Sequence, residues 1–275
     1  ATGDFVLLSR SGVEYVNPTS QSCDENHWIR GACLYGILPA NGMLYSTPHA
    51  CACYIKGKLN GFTAMTPGPT AVMKPAADKA DPIEQGPAYL ATVQQVKDSE
   101  AWPTYRHDVS RSGRASTTVG TDLKQTWKTK IGGELTSLTV GSGLVLVAQK
   151  DRNTVHALDA ISGEPRWQYS AGGTIDSPPT IDGGFVYFGS GDGCVYCLLA
   201  SDGSLSWRTR AAPDERRVVS YGRLESAWPV HGSVLVENGI VYAAAGRSSF
   251  LDGGIRMVKI HARTGEFFGD ERVYD

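Results

Sequence analysis

Three tryptophans recur at a fixed interval in the second half of the chain. They stand at Trp127, Trp167 and Trp207, so each interval, 167 minus 127 and 207 minus 167, is 40 residues. Equal spacing of a rare residue indicates an internal repeat, and a repeat of this length is typical of solenoids, propellers and arrays. The fold must therefore place similar units side by side.

The residues between the tryptophans support the repeat. A glycine turn followed by an apolar run occurs four times. Asn-Gly and Gly-Gly pairs favour tight hairpin turns, and Val, Ile, Tyr and Phe favour strands. Short strands with no amphipathic helix between them are typical of propeller blades. The four copies are Asn41–Tyr45, Ser142–Leu146, Gly183–Tyr187 and Asn238–Tyr242.

Composition excludes several classes of function. The formal net charge is 26 minus 28, or −2, which gives no electrostatic reason to expect nucleic acid as a partner. The sequence contains no run of about 18 apolar residues, which is the length needed to span a bilayer as a helix. We find no sequence motif for a nucleophilic hydrolase, a zinc protease or a phosphate-binding loop. A chain that is 41% hydrophobic is expected to fold around a core.

The stretch from 157 to 167 carries a recognisable pattern. Ala157, Asp159, Gly163 and Trp167 stand at the spacing of a tryptophan-docking motif. The stretch resembles the pyrroloquinoline-quinone (PQQ)-like β-propeller repeat family, which includes the quinoprotein dehydrogenases and a propeller lipoprotein of the outer-membrane β-barrel assembly machinery. In that family the tryptophan packs between neighbouring blades.

The later copies of the pattern are less complete. Gly203 and Trp207 are kept in the second copy, whereas the third has His261 at the aspartate position and Gly269 at the tryptophan position. The segment 102–113 also resembles the opening segment of such propellers. The resemblance covers most of 102–275 and, more loosely, 1–65.

The resemblance implies an all-β fold of four-stranded antiparallel blades. We expect N-terminal blades with an insertion in 1–65, a Pro/Ala-rich linker or excursion in 66–101, and repeated blades in 102–275. Because about four blades are recognisable and both termini are abrupt, we expect an incomplete ring, or arc, from a processed or truncated product. Its open strand edges could pair with another chain. We also expect the three repeat tryptophans to be equivalent and largely buried.

The cysteines leave two interpretations open. His49, Cys51 and Cys53 alternate along an insertion, where they could hold a metal ion, or a cysteine could form a disulfide with Cys23 or Cys33. We expect at least one disulfide in this group. The Cys-x-x-Cys pair at 194 and 197 lies in a predicted strand, where residues three apart face opposite sides. We therefore expect these two cysteines to be core residues.

A long insertion between two glycine turns is the main candidate for ligand binding. Arginines could clamp a carboxylate or phosphate, and aromatic side chains could stack on a planar or sugar ligand. Alternatively, Asp214 and Glu215 pair locally with the arginines in a solvated loop. The glycine-bearing loop 246–254 could line the same face. The candidates are Arg216, Arg217, Tyr221, Arg223, Glu225, Trp228 and His231.

These observations favour a non-enzymatic scaffold or binding module that is exported to the periplasm or cell exterior. Its expected partners are a protein or the remaining propeller blades. The resemblance also allows part of a PQQ-dependent dehydrogenase, with PQQ and calcium as cofactors. A third possibility is a metal or redox site at the His49 cluster. We expect no cofactor, because the arginines fall within one insertion and no adjacent cysteine pair is present.

Overall fold

The computed structural model describes residues 3–33, 35–48, 59, 61–67, 83–93, 101–220, 222–249 and 252–273. These residues form small antiparallel sheets joined by tight turns, with one short 3₁₀ turn at Lys150–Arg152. The described part of the chain is therefore all-β, as the sequence predicts.

Two three-stranded sheets form the N-terminal part, and one short strand that joins a later sheet follows them. The first sheet contains β1 (Val6–Leu8), β2 (Val13–Asn17) and β3 (Ser22–Asn26); the second contains β4 (Ile37–Ala40), β5 (Met43–Ser46) and β6 (Thr63–Met65); the short strand is β7 (Ile83–Gln85).

Two four-stranded sheets, one five-stranded sheet and one hairpin form the rest. Blade A contains β8 (Thr139–Gly141), β9 (Leu144–Gln149), β10 (Thr154–Asp159) and β11 (Pro165–Ser170); blade B contains β12 (Thr180–Asp182), β13 (Phe185–Gly189), β14 (Cys194–Leu199) and β15 (Leu205–Arg210); the hairpin contains β16 (Arg217–Ser220) and β17 (Arg223–Ser226); blade C contains β18 (Leu235–Glu237), β19 (Ile240–Ala245), β20 (Ile255–His261) and β21 (Phe267–Val273). Each blade runs in sequence order from its first to its fourth strand. The five-stranded sheet is blade B, with β7 as its fifth strand beside β15.

The four predicted glycine turns all join the first and second strands of a sheet. In each two-residue turn both residues have positive φ, for example 50° at Asn238 and 76° at Gly239. Such turns match the right-handed twist of the flanking strands. The copy at Asn41 lies between β4 and β5, so the second N-terminal sheet begins as the blades do but has three strands.

The repeat tryptophans make the same contact with the next repeat. The indole Nε1 of each donates a hydrogen bond to a backbone oxygen: Trp127 to Ala160 at 3.2 Å, Trp167 to Ala200 at 2.8 Å, and Trp207 to Ala262 at 3.0 Å.

A glycine lies beneath each indole ring. The three are Gly163, Gly203 and Gly265, which have φ between 72° and 74°. A Cβ at any of these positions would collide with the tryptophan above it. Glycine is therefore required by both the positive φ and the closeness of the ring. The predicted positions of Ala157 and Asp159 lie on β10, beside this turn.

The three tryptophans differ in burial. Trp207 is fully buried, whereas Trp127 and Trp167 are only half-buried, which corrects the expectation that all three are largely buried. Trp207 is covered further because β7 pairs with β15, placing Gln85 opposite it. Within the described residues no strand lies beyond β11, and Trp127 lies outside any strand. Trp207 is therefore more buried than the other two tryptophans because β7, a strand from the predicted linker region, lies beside it.

Blade B is packed on both faces. Leu146 and Val155 of blade A pack with Val186 and Tyr196 of blade B in one core cluster. The opposite face of blade B, including Tyr187, forms the second large cluster together with blade C. All five residues of β13 are consequently buried.

Blade C is packed on one face. Along β19, Val241, Ala243 and Ala245 are buried against blade B, whereas the alternating residues Ile240 and Tyr242 are half-buried. At this second face Gly269 pairs with Lys259, at the place where Trp207 pairs with Cys197 in blade B. The described residues thus form an arc that ends on a half-open sheet face, in agreement with a partial propeller.

The two cysteines of β14 lie on opposite faces, as strand alternation predicts. Cys194 packs against the core shared with blade A, and Cys197 packs in the core shared with blade C. Both are unpaired thiols. Burial raises the pKa of Cys194 to about 12 and raises the pKa of Cys197 further. Neither thiol is therefore activated as a nucleophile.

The structure tests only part of the prediction that the N-terminal cysteines form a disulfide or a metal site. Cys23 is an exposed, unpaired thiol, so it forms no disulfide with Cys33. His49, Cys51 and Cys53 lie outside the described residues. A disulfide or metal site that involves them stays a prediction. In the part of the chain that the structure describes, no helix is long and apolar enough to cross a bilayer.

Replacing the repeat tryptophans one at a time should give graded losses of stability. Trp207→Ala should cost about 3–5 kcal/mol, because a large buried ring leaves a cavity. Trp127→Ala should cost roughly 1–2 kcal/mol, because less of its surface is removed from water. Urea unfolding followed by circular dichroism measures both. Equal losses at the two positions would contradict the packing described above.

Candidate functional site

The hairpin β16–β17 is the structured part of the long insertion between blades B and C. Its strands pair from Arg217 with Ser226 to Ser220 with Arg223. The hairpin carries two strongly exposed apolar side chains, Val219 (60% exposed) and Leu224 (58% exposed). Apolar side chains this exposed on a short hairpin are candidates for contact with another molecule.

Arg216 is held at the base of the hairpin. Its Nη1 atom lies 2.6 Å from Oδ1 of Asp252, and its guanidinium lies 4.6 Å from the centre of the Trp228 ring. The indole Nε1 of Trp228 donates to the backbone oxygen of Asp252 at 3.2 Å. Burial raises the pKa of Asp252, and the charge of Arg216 opposes that rise. These contacts join the insertion to the 246–254 loop.

A second set of charged contacts is a chain of ion pairs that contains His231 and two carboxylates. His231 Nδ1 lies 2.6 Å from Asp176 Oδ2, and its Nε2 lies 3.5 Å from Glu225 Oε2. The buried Glu225 also pairs with Arg247. The chain thus joins the loop between blades A and B to the hairpin and to blade C.

Within this chain of ion pairs, the pKa of the Asp176 carboxyl is lowered. Burial, the largest single effect, raises the pKa of this carboxyl, whereas the hydrogen bond and the charge of His231 lower it. A hydrogen bond from Thr174 at 3.0 Å and the charge of Lys150 act in the same direction. The net pKa is below the usual range, so this carboxyl is ionised at neutral pH.

The seven predicted ligand-binding residues do not share one environment. Arg216, Glu225, Trp228 and His231 take part in the contacts above. Arg223 lies 3.8 Å from Glu134. The remaining arginine of the set, Arg217, forms no ion pair with a described residue, and Tyr221 lies outside the described residues. Arg216 already contacts a carboxylate and an indole of the chain itself. The predicted arginine clamp for a carboxylate or phosphate stays a prediction.

The alternative of local pairing also holds in part. Glu215 Oε1 lies 2.5 Å from Arg210 Nη1, and Asp214 Oδ1 accepts a hydrogen bond from the backbone nitrogen of Arg216 at 2.7 Å. The insertion thus combines local ion pairs with longer contacts to other blades.

Sequence reasoning missed three charged residues of this region. Asp176, Arg247 and Asp252 supply the partners of His231, Glu225 and Arg216. Arg247 and Asp252 belong to the 246–254 loop, which the sequence placed on the same face. Asp176 had no comparable signal, because it precedes a short Ser-Pro-Pro segment far from the insertion.

An apolar cleft separates the hairpin from the N-terminal sheets. Its volume is about 1610 Å³. All three residues of β6 line one side, and Val218 and Val219 line the other. Two arginines of the candidate set, Arg216 and Arg217, lie on its wall. Further lining side chains are Phe5, Leu7, Tyr15, Trp28, Met43, Leu44 and Phe62.

Among the described residues, no group of three or more His, Cys, Asp or Glu side chains is arranged to hold a metal ion. His231, Asp176 and Glu225 are close together, but Arg247 also pairs with the glutamate. This arrangement suits a chain of ion pairs between blades.

Comparison with curated proteins finds two partial relatives. A DNA damage-responsive serine/threonine-protein kinase, RqkA of Deinococcus radiodurans, is 31% identical over 141 residues, or 48% of this chain and 21% of that protein. The outer membrane protein assembly factor BamB of Burkholderia pseudomallei is 32% identical over 97 residues, or 34% of this chain and 25% of that protein. The chain therefore spans a quarter or less of the length of these relatives.

Comparison with solved structures supports the fold. A europium-containing methanol dehydrogenase matches with a TM-score of 0.51 and 16% identity, over 64% of this chain and 32% of that chain. A quinohemoprotein alcohol dehydrogenase from Comamonas testosteroni matches with a TM-score of 0.50 and 20% identity, over 63% of this chain and 27% of that chain. These likenesses concern architecture alone.

A family comparison matches residues 109–267, which include blades A and B, the hairpin and most of blade C. The matched stretch contains the tryptophan–glycine contacts and the inter-blade charge chains, and it exceeds half of the chain. This chain therefore belongs to the PQQ-like propeller repeat family described as outer membrane protein assembly factor BamB.

Proposed function

We propose that the chain is a non-enzymatic, exported propeller scaffold that binds a protein partner in the cleft between the β16–β17 hairpin and the N-terminal sheets. The observation that carries this proposal is the apolar lining of that cleft, with exposed side chains at its mouth. Val219 is 60% exposed and Phe62 is 68% exposed. Contiguous exposed apolar surface on a folded protein marks an interaction site. Membership of an outer-membrane assembly family supports export.

The size and edges of the cleft favour a polypeptide occupant. Its volume of about 1610 Å³ exceeds the roughly 300–1,000 Å³ of common small-molecule pockets. Strand β6 lies in its wall and is the last strand of its sheet within the described residues. An extended segment can add to such an edge through backbone hydrogen bonds, while alternate side chains enter the apolar cleft.

Charge defines the chemistry of the partner further. Arg217 is exposed on the cleft wall and is unpaired among the described residues, whereas Arg216 is held by Asp252. A carboxylate on the incoming segment would give Arg217 a charged hydrogen-bond partner. The proposed partner is therefore an extended, apolar protein segment that carries one acidic residue.

A charge-swap experiment tests the cleft. A fluorescein-labelled peptide of alternating Val and Thr with a central Glu should bind saturably in an anisotropy titration, and R217E should weaken binding about tenfold, the loss of roughly 1.4 kcal/mol. The same peptide with a central Lys should bind R217E better than it binds the wild type. V219E should weaken both peptides, because it places a charge in the apolar wall.

The matched control for V219E is V119E, because Val119 is 70% exposed and lies outside the cleft. This substitution should leave the affinity unchanged. Equal binding of the Glu and Lys peptides to the wild type, or equal losses in V119E and V219E, would overturn the proposed site.

A separate assay tests the non-enzymatic part of the proposal. Arg216, Arg217 and Arg223 lie in one insertion, whereas a cofactor on a propeller axis needs groups from several blades and a calcium ion needs 6–8 oxygen ligands. We expect the purified protein mixed with PQQ and calcium to show no dye-coupled alcohol oxidation. Saturable cofactor binding with turnover would establish a dehydrogenase instead.

A further inference from the structure

A second cavity, distinct from the apolar cleft, lies where connections from all three blades meet. Its volume is about 610 Å³. Lys150 comes from the β9–β10 connection of blade A, Asp176 and Ser177 from the β11–β12 connection, and Ser233 from the segment that leads into β18. Arg111, from the segment before blade A, completes the charged lining. The cavity is within the size range of small-molecule sites.

The two cations of this polar cavity differ in their contacts. Arg111 is held in place, since its Nη2 donates to the backbone oxygen of Ser233 at 3.0 Å and its guanidinium lies 5.3 Å from the centre of the Tyr105 ring. The ammonium of Lys150 forms no ion pair or hydrogen bond with a described side chain. Arg111 is therefore fixed, whereas the ammonium of Lys150 is close enough to Asp176 to lower the pKa of its carboxyl but is not bonded to it.

The single carboxylate in the lining is already engaged. Asp176 accepts from Thr174 and is paired with His231, which lies outside the cavity lining. Counting Arg111, Lys150 and Asp176 gives one excess positive charge. The cavity is thus suited to a small ligand with one anionic group, whereas a cofactor with several carboxylates would leave charges without partners.

Hydroxyl groups make up much of the remaining lining. One of them, the shielded Ser233 hydroxyl, has no hydrogen-bond partner in the described structure. Shielded polar groups of folded proteins are almost always satisfied, so an unsatisfied hydroxyl in a polar cavity indicates a missing partner. The hydroxyl-bearing residues are Tyr105, Thr136, Ser137, Ser177 and Ser233.

We propose that this cavity binds a small polyhydroxylated anion, a sugar acid or a sugar phosphate, with its anionic group between Lys150 and Arg111 and a hydroxyl on Ser233. The shared requirement is one anionic group on a hydroxyl-rich body. Arg111 orients the anion as a fixed charge, and Lys150 reaches it as a flexible one. This ligand site is independent of the peptide cleft.

Calorimetric titration of the full chain tests the proposal with three probes: gluconate, glucose 6-phosphate and neutral glucose. At least one anionic probe should bind saturably, and glucose should bind at least tenfold more weakly. Gluconate and glucose 6-phosphate distinguish a carboxylate ligand from a phosphate ligand. K150M should weaken the anion at least tenfold while K128M, at an exposed lysine outside the cavity, should not.

S233A supplies a second variant, which removes one hydroxyl without removing charge, and it should weaken the anionic probe with no loss of thermal stability. V219E should leave this binding intact, so failure of the peptide cleft and failure of this cavity are distinguishable. The proposal is overturned if neither anion binds with a Kd below about 1 mM, if glucose binds as well as the anions, or if K150M and K128M behave alike.

Discussion

The contact between a tryptophan and the glycine turn of the next repeat is the interaction on which the rest of the structure depends. At each occurrence an indole N–H bonds to a backbone oxygen, and the ring covers a glycine whose φ is positive. The contact fixes the spacing of consecutive sheets, because a side chain at the glycine would collide with the ring. In blade C, Gly269 occupies the position at which Trp207 lies in blade B.

This repeated contact places the two candidate sites. With the blades held side by side, loops distant in sequence converge, and Asp176, His231, Glu225 and Arg247 form one chain of ion pairs across the insertion. The hairpin that this chain anchors forms one wall of the apolar cleft. The polar cavity lies at the other end of the same chain, at Asp176. A single packing rule thus positions an apolar and a polar site.

The sequence predicted the repeated parts well and the single parts poorly. Glycine turns and tryptophans carry local information, so the hairpins at Ser142 and Asn238 were predictable from neighbouring residues. The pairing of β7 with β15 was not, because three residues within a Pro/Ala-rich segment give no signal for a partner more than 100 residues away. The partners of Arg216 and His231 were missed for the same reason. Long-range ion pairs depend on the assembled fold, which no local pattern encodes.

The account depends most on blades B and C acting as one packed unit through Trp207. Hydrogen exchange measured by mass spectrometry on Trp207→Ala tests this directly. The account predicts faster exchange on both sides of the contact, in β14–β15 and in β19–β20, with β9–β10 of blade A close to wild type. Faster exchange confined to β15, with blade C unchanged, would contradict it, because Trp207 would then stabilise only its own strand.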